Sequence, residues 1–233
     1  MQFHGNKKRL AKKFAHIILE ELEPQNRWVE PFVGSANLLP ALQHTGQSYC
    51  SDVHQGMIVL LKATQGGWVG PTNVSEAEYA RVKKKADWSD PLTAFVAFGC
   101  TFGAKEFAGY ARTITPKPFN YADCSSRALQ KKALYMENVQ FACHSYEDTP
   151  LGENDILYAD PPYQGSTGYG AFDHEAFYDW CDAAALLCKA VFVSEFNQPR
   201  DNWEEVWSQP RRVNMMTEKT QLTKMDRLFR VWS

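Results

Sequence analysis

The sequence has no long apolar run, no large excess of charge of one sign and no closely paired cysteines. The basic segment 1–13 is followed by residues 14–22, in which His16, Glu20 and Glu21 interrupt the apolar positions, so we expect neither a signal-peptide core nor a membrane span. The six cysteines include no C-x-x-C pair, which favours reduced thiols in a cytoplasm over a disulfide framework or a metal site. The sequence also lacks internal repeats and low-complexity tracts.

What is present is the composition of an ordinary globular protein. Of the 233 residues, 44% are hydrophobic and 22% are charged, which excludes a disordered, collagen-like or coiled-coil chain. This length suffices for one α/β core with a small appended region and is too short for two large domains. We therefore expect a single α/β domain that carries an insertion.

The charge is segregated along the chain, although the formal net charge is only -2. Residues 81–132 contain ten Lys or Arg against four Asp or Glu, whereas residues 133–198 contain one against eleven. A basic middle segment could follow a nucleic-acid backbone while the acidic segment holds the chemistry. Two ordinary solvated faces would give the same count, so charge alone leaves both interpretations open.

Both ends of the chain show the alternation typical of an α/β sheet. Apolar residues at helical spacing predict helices over residues 7–23, 38–42, 125–134 and 175–188. β-type runs predict strands over residues 27–30, 48–52, 139–144, 156–159, 190–194 and 228–232. Residues 57–120 break this rhythm with a Gly/Trp-rich turn, a helix over 75–86 and an aromatic, glycine-containing stretch, and are predicted to belong to an insertion.

The sharpest signal is Asp160-Pro161-Pro162-Tyr163 at the end of an apolar strand. Two consecutive prolines fix an extended turn without N–H donors, so the Asp160 carboxylate and the Pro161 carbonyl are presented as rigid acceptors. A planar exocyclic amine such as that of adenine offers two N–H donors to such a pair, and Tyr163 offers a ring on which an extruded base could stack. A strand-ending Asp-Pro turn with a core tyrosine is the alternative.

A second candidate is the strand-to-helix turn Glu30-Pro31-Phe32-Val33-Gly34-Ser35-Ala36-Asn37. Its small residues would let the backbone approach a ligand closely, but the turn lacks G-x-G-x-x-G and so disfavours a dinucleotide. A cofactor with an amino acid and a ribose fits better, and Asp52, at the end of the second strand, could accept ribose hydroxyls. A plain α/β turn and a turn-forming aspartate are the alternatives.

In this order, the motifs resemble the Dam-like class of N6-adenine DNA methyltransferases over nearly the whole chain. Gly5-Asn6-Lys7 comes first, the turn at 30–37 and Asp52 follow, and the tetrapeptide at 160–163 lies after an inserted target-recognition region. The resemblance implies S-adenosylmethionine as the cofactor. It implies cofactor contacts from Lys7, Phe32, Gly34, Asp52 and Asp160.

The chain also departs from this family. Its members commonly have Trp or Tyr and a paired glycine before the N-terminal lysine, where this chain has Phe3-His4-Gly5-Asn6. We place Phe3 and Ser35 at the same cofactor site. Residues 102–112 look like methylases of bacteriophages and prophages, and no hairpin of the kind that reads G-A-T-C is found. The target sequence, and a role in restriction-modification as against regulation, therefore stay open.

The resemblance and the motifs together assign roles to individual residues. Asp160, Pro161 and Tyr163 are predicted to be catalytic, with hydrogen bonds from the adenine amine to the first two freeing its lone pair for attack. Tyr146 and Phe172 are further stacking candidates. Phosphate contacts are predicted for Lys105, Arg112, Lys117, Arg127, Lys131 and Lys132. Residues 194–197 either line the pocket or form a structural turn.

We therefore predict an α/β fold, with a Rossmann-like methyltransferase sheet that is mostly parallel and doubly wound and a helical target-recognition insertion. Residues 1–52 and 134–233 would form the S-adenosylmethionine-binding catalytic domain, and residues 53–133 the inserted DNA-recognition domain. The expected partner is double-stranded DNA, without membrane or metal, for a monomer in a bacterial cytoplasm. An RNA or protein-amide methyltransferase and an inactive DNA-binding relative are the alternatives.

Overall fold

The computed structural model describes residues 10–112, 119–164, 172–213 and 222–233, which contain a seven-stranded sheet. Its strands are β1 (Arg27–Glu30), β2 (Ser48–Asp52), β3 (Val139–Cys143), β4 (Asp155–Ala159), β5 (Ala190–Glu195), β6 (Trp203–Val213) and β7 (Leu222–Val231). They lie in the order β3-β2-β1-β4-β5-β7-β6. Strands β1 to β5 are parallel, and β7 is antiparallel to both β5 and β6. The predicted mostly parallel α/β sheet is confirmed.

Helices connect the strands and form the middle of the chain. They are α1 (Ala11–Ile18), α2 (Leu39–Leu42), α3 (Gln55–Gln65), α4 (Glu76–Lys85), α5 (Pro91–Gly99), α6 (Tyr121–Ala133) and α7 (His174–Leu187). Two short 3-10 helices lie at Phe102–Ala104 and Tyr146–Asp148. In the part of the chain that the structure describes, no helix combines the length and apolar character needed to cross a bilayer.

The sheet is covered on both faces, as a doubly wound fold requires. Successive side chains of a strand point to opposite faces, and in β4 Ile156 and Tyr158 belong to one hydrophobic core while Leu157 and Ala159 belong to the other. Helices α1, α2 and part of α3 pack on the first face, and α7 packs on the second. Because both faces are buried, the central strands read as continuous apolar runs.

The middle of the chain has a hydrophobic core of its own. Its buried members all lie between Met57 and Leu129, on helices α3 to α6 and the segments that join them. Helix α3 contributes to this core and to the core on one face of the sheet. Its Met57 and Leu60 belong to the core of the middle of the chain, whereas Ile58 and Leu61 pack against the sheet. The domain limits of 53–133 stay a prediction.

The observed elements differ from the predicted ones mainly in two places. Helices α3 and α5 lie in the region where only one helix, now α4, is predicted. The chain also ends in a long hairpin of β6 and β7, where the prediction has only a short strand at 228–232. Helix α6 begins four residues before its predicted start, with Asn120 as the N-cap that accepts a hydrogen bond from the Asp123 N–H at 3.0 Å.

Candidate active site

Four acidic side chains come together at the carboxyl edge of the central parallel strands. Glu30 ends β1, Asp52 ends β2, Asp160 follows β4 and Glu195 ends β5. Burial, and after it the charges of Asp160 and Asp52, raise the pKa of Glu30. Burial, and after it the charge of Asp160, also raise the pKa of Glu195. The edge is therefore an acidic, partly desolvated site that suits a cationic ligand.

The turn after β1 is held by Asp52. Its Oδ2 accepts a hydrogen bond from the Gly34 N–H at 2.9 Å, and its Oδ1 accepts one from the His54 N–H at 2.9 Å. Gly34 (φ 47°) and Ala36 (φ 52°) both adopt left-handed backbone, which costs a non-glycine residue about 1–2 kcal/mol. Burial raises the pKa of Asp52, while these two hydrogen bonds act against that rise. Two residues predicted at the cofactor site, Gly34 and Asp52, are thus in direct contact.

Helix α6 holds the same turn from the other side. The Nζ of Lys132 donates a hydrogen bond to the Ser35 carbonyl oxygen, and the Ser35 Oγ accepts one from Asn37 at 2.9 Å. Lys132 is only 7% exposed, so its ammonium lies inside the protein. The prediction of a phosphate contact is therefore wrong for Lys132. A lysine at the end of an amphipathic helix can point inward or outward, and only the packing of that helix decides which.

Glu30, the first residue of the candidate turn at 30–37, is a buried carboxyl group for which no individual role is predicted. It is 2% exposed, and its Oε2 accepts a hydrogen bond from Trp28 Nε1 at 3.2 Å. Burial raises its pKa to about 8, against a lesser opposing effect of the Trp28 hydrogen bond. The group is therefore mostly protonated at neutral pH. The sequence feature that could have identified Glu30 is its position, because it is an acidic residue at the end of a short strand and directly before the candidate turn.

The tetrapeptide at 160–163 leaves β4 as an extended strap. Pro161 and Tyr163 are buried and Asp160 is half-buried. The Tyr163 ring meets the Phe196 ring edge-on, with centroids 4.5 Å apart. Burial and the charge of Asp160 raise the pKa of Tyr163, and a hydrogen bond with Ser194 acts the other way. Tyr163 is therefore packed against the residue that follows β5, and its role as a stacking surface for a base stays a prediction.

Aromatic side chains from three segments meet beside the turn. The Phe32 ring stacks on the Tyr146 ring with centroids 5.6 Å apart, and Phe172 meets these two rings at 6.1 and 5.9 Å. The structure therefore brings together the predicted cofactor contact Phe32 and both of the further stacking candidates. Their contacts with ligands stay predictions.

The predicted phosphate contacts fall into two groups on the described surface. Arg112 forms an ion pair with Glu76, and Arg127 forms one with Asp123 at 2.6 Å, so an acidic neighbour partly neutralises each of these charges. Lys105 and Lys131 are exposed. Neither lysine forms an ion pair with another residue that the structure describes. The DNA contacts themselves stay predictions.

Three predicted site residues lie outside the described residues, and their roles stay predictions. They are Phe3, Lys7 and Lys117.

Residues 194–197 border the tetrapeptide. Two alternatives are predicted for them, a lining of the pocket and a structural turn. The Ser194 Oγ lies 2.7 Å from the Tyr158 hydroxyl oxygen, and Glu195 Oε2 accepts a hydrogen bond from the Gln164 N–H at 3.4 Å. His174 reaches the tetrapeptide from α7, with its Nε2 3.0 Å from the Pro162 carbonyl oxygen. No role is predicted for His174, because nothing local in the sequence distinguishes it from an ordinary residue in the first turn of a helix.

The strand order, the helices on both faces and the candidate site at the carboxyl edge define a doubly wound α/β protein. Residues 104–199 match the model of the D12 class N6 adenine-specific DNA methyltransferases. The match includes the tetrapeptide at 160–163 and ends after β5, whereas the turn at 30–37 and Asp52 precede it. The family resemblance read from the motifs is thereby confirmed.

Individual proteins resemble the chain less completely. The type II methyltransferase M.FokI from Planomicrobium okeanokoites is 41% identical over 64 residues, which cover 24% of this chain and 10% of that protein. The matched part is thus about a tenth of this relative's length.

Solved methyltransferases resemble the chain in fold alone. The 23S rRNA methyltransferase ErmE aligns with 97% of this chain and 68% of its own, at 13% identity and a TM-score of 0.45. The tRNA (m1A58) methyltransferase TrmI from Aquifex aeolicus aligns with 97% of this chain and 69% of its own, at 11% identity and a TM-score of 0.41.

Proposed function

We propose that the chain is an S-adenosylmethionine-dependent DNA methyltransferase that methylates the N6 amine of adenine in double-stranded DNA after extruding the base. The observation that carries this proposal is the strap at 160–163. It places Asp160 and Pro161 at an acidic sheet edge, within the segment that matches the N6 adenine-specific family. A pair of acceptors is complementary to an amine with two N–H donors.

The residues of the edge fit the proposed methyl donor. S-adenosylmethionine brings a methyl group activated by a sulfonium and, with its ammonium, cationic groups that the Asp160 carboxylate would stabilise. Both oxygens of Asp52 already accept backbone N–H groups, and a carboxylate has lone pairs left for ribose hydroxyls. Phe32, Gly34 and Ser35 would complete the binding surface, together with Phe3 and Lys7.

The chain's own residues align and stabilise the amine. The lone pair of an adenine amine is delocalised into the ring, so the free amine is a poor nucleophile. Hydrogen bonds to Asp160 and to the Pro161 carbonyl favour a tetrahedral nitrogen whose lone pair is available for attack. The Asp160 carboxylate also stabilises the positive charge that develops on that nitrogen as the methyl group is transferred.

Substrate binding is assigned to the middle of the chain and to the aromatic side chains of the edge. Base extrusion costs a few kcal/mol, which stacking of the base on Tyr163, Tyr146 or Phe172 would offset. The separate core between Met57 and Leu129 supports a recognition unit over 53–133. Lys105, Arg112, Lys117, Arg127 and Lys131 would contact phosphates. A bacteriophage origin and a role in restriction-modification belong to this proposal as well.

Transfer of radiolabelled methyl groups from S-adenosylmethionine tests the proposal directly. Duplex DNA, RNA and total protein would be offered separately, and the labelled products digested and identified. We expect N6-methyldeoxyadenosine from DNA, lost in Asp160→Ala and retained in Glu153→Ala, which removes an exposed acid just before β4. Label only in RNA or protein would replace the proposal with the other enzymatic alternative. Cofactor binding without transfer to any of the three would favour an inactive DNA-binding protein.

A further inference from the structure

Strand β4 is held in place by backbone hydrogen bonds to the neighbouring strands, but the strap at 160–163 cannot be held in this way. Its two prolines have no N–H to donate, so the N–H groups of Tyr163 and Gln164 are the next available beyond them. The strap must therefore be held through its carbonyl oxygens, through those later N–H groups and through side-chain packing. Contacts of the first two kinds come from two residues on different elements, His174 and Glu195.

His174 holds the middle of the strap. It is the first residue of α7, after the N-cap Asp173, which fixes the start of the helix by accepting a hydrogen bond from the Ala176 N–H at 3.0 Å. Its Nε2 lies 3.0 Å from the Pro162 carbonyl oxygen. A carbonyl oxygen only accepts, so Nε2 must carry the hydrogen and donate it. The bond fixes the peptide unit that follows Pro162.

The same imidazole connects the strap to the cofactor turn. The His174 ring meets the Phe172 ring edge-on with centroids 5.1 Å apart, and Phe172 in turn contacts Phe32. The two motifs at the candidate active site are thus joined through two side chains, His174 and Phe172. A displacement of His174 would therefore move residues of both the strap and the turn.

Glu195 holds the far end of the strap. It is 2% exposed, and its two oxygens accept hydrogen bonds from the Phe196 N–H at 2.6 Å and the Gln164 N–H at 3.4 Å. The Phe196 ring, which follows directly, packs edge-on against Tyr163. Burial raises the pKa of Glu195, whereas the two N–H groups and the nearby His174 act against that rise. The carboxylate thus fixes Gln164 directly and Tyr163 through Phe196.

We propose that His174 and Glu195 are positioning residues that clamp the strap from two sides and hold Asp160 and the Pro161 carbonyl in the orientation that accepts the adenine amine. This inference rests on the proposed function. Neither side chain needs to touch the substrate, because the effect is transmitted through the Pro162 carbonyl and through Gln164. A displacement of about 1 Å in reacting groups is enough to lower turnover about 100-fold.

The test compares two replacements of His174 that differ in hydrogen bonding. His174→Phe keeps an aromatic ring against Phe172 but removes the donor, whereas His174→Gln can place an amide N–H near the Pro162 carbonyl. We expect His174→Phe to lower kcat about 10- to 100-fold with KM for S-adenosylmethionine within about threefold of wild type. His174→Gln should recover most of that loss. His16→Gln, on the exposed face of α1, is the matched control.

Glu195→Gln tests the other side of the clamp. The amide retains one acceptor oxygen for two N–H groups, so we expect a smaller fall in kcat than in His174→Phe, again at nearly constant KM. A wild-type kcat in His174→Phe, or a fall that Gln fails to recover and that matches a loss of folded protein in thermal unfolding, would overturn the proposal.

Hydrogen exchange separates this proposal from the proposed function. Amide exchange at Tyr163 and Gln164 requires no methyl transfer, and it should be faster in His174→Phe and in Glu195→Gln than in wild type. If wild type methylated no adenine, the proposed function would fail while faster exchange still supported the clamp. Unchanged exchange in both variants would overturn the clamp whatever the activity.

Discussion

The Nζ of Lys132 donates a hydrogen bond to the carbonyl oxygen of Ser35, so the last turn of α6 is attached to the turn that follows β1. Both residues are buried. Through this bond the helices of the middle of the chain, which share the core between Met57 and Leu129, are linked to the sheet at the candidate active site.

Removal of the Lys132 ammonium should destabilise the protein and loosen the turn. In Lys132→Met the stem still packs, but the buried Ser35 carbonyl loses a donor, which costs about 1–3 kcal/mol. We expect that loss in the free energy of unfolding in urea, together with weaker binding of S-adenosylmethionine in calorimetry. Lys131→Met is the control, because Lys131 is the exposed neighbour and its replacement should change stability by less than about 0.5 kcal/mol. Equal effects of the two replacements would contradict the role of the bond.

The central strands could be predicted because the pattern that defines them lies within a few consecutive residues. Each is a short apolar run that both faces of the sheet bury, and each leads into a turn or an acid. Helix α5 could not be found by periodicity, since Thr93 to Gly99 are buried all round and leave no polar face. Its N-cap Asp90 and the following Pro91 were the usable signal. The hairpin of β6 and β7 was missed because β6 mixes charged residues with Pro210 at the edge of the sheet.

Within the site, the sequence located what is chemically unusual and missed what depends on packing. The strap, Gly34 and Asp52 could be recognised because these motifs rarely occur together in this order along a chain. The inward direction of Lys132 and the reach of His174 to the Pro162 carbonyl follow from how α6 and α7 pack. The pKa of Glu30 likewise depends on neighbours that are distant in the sequence, because the charge of Asp160 raises it and the charge of Lys132 lowers it.

The raised pKa of Glu30 should make the ligand-free protein less stable as pH rises. The carboxyl group titrates near pH 4.5 when exposed and at about 8 in the folded protein. Below pH 4.5 both states are protonated and the group contributes nothing. Between those values the unfolded chain releases the proton and the folded chain keeps it, so the free energy of unfolding falls. Above pH 8 the loss is complete, at roughly 4–5 kcal/mol.

Glu30→Gln removes this dependence and keeps an acceptor for Trp28 Nε1. We expect the variant to match wild type in urea unfolding at pH 4.5 and to be about 3–5 kcal/mol more stable at pH 9. The difference between the two proteins is the relevant quantity, because other groups titrate equally in both. A difference that does not grow with pH would show that Glu30 ionises normally in the folded state.

Asp52→Asn should weaken cofactor binding more than it weakens the fold. The amide retains one oxygen, while its NH₂ group faces an N–H of Gly34 or His54 that needs an acceptor. Loss of a hydrogen bond to a charged group corresponds to about 10- to 100-fold in affinity. Calorimetric titration with S-adenosylmethionine measures this loss, and Asp201→Asn, on an exposed turn, serves as the control. Unchanged affinity would remove Asp52 from the cofactor site.

Salt dependence of DNA binding distinguishes phosphate contacts from internally paired charges. Each phosphate contact contributes about 0.9 to the slope of log K against log salt concentration, so Lys105→Ala and Lys131→Ala should each reduce the slope by about 1. They should lower affinity alike for all duplex sequences. Arg127→Ala should have a smaller effect, because Arg127 must first give up its ion pair with Asp123.

Asp123→Ala extends this comparison, since it frees Arg127 and should steepen the slope. Fluorescence anisotropy with a labelled duplex over about 50 to 200 mM salt provides the measurement. Arg200→Ala is the control, because Arg200 is paired with Glu175, Asp179 and Asp182 on and beside α7, away from the basic segment. The contrary result would be an unchanged slope in Lys105→Ala and Lys131→Ala together with a reduced slope in Arg200→Ala. The DNA would then bind the face of α7 rather than the middle of the chain. The assignment of 53–133 to recognition would fail.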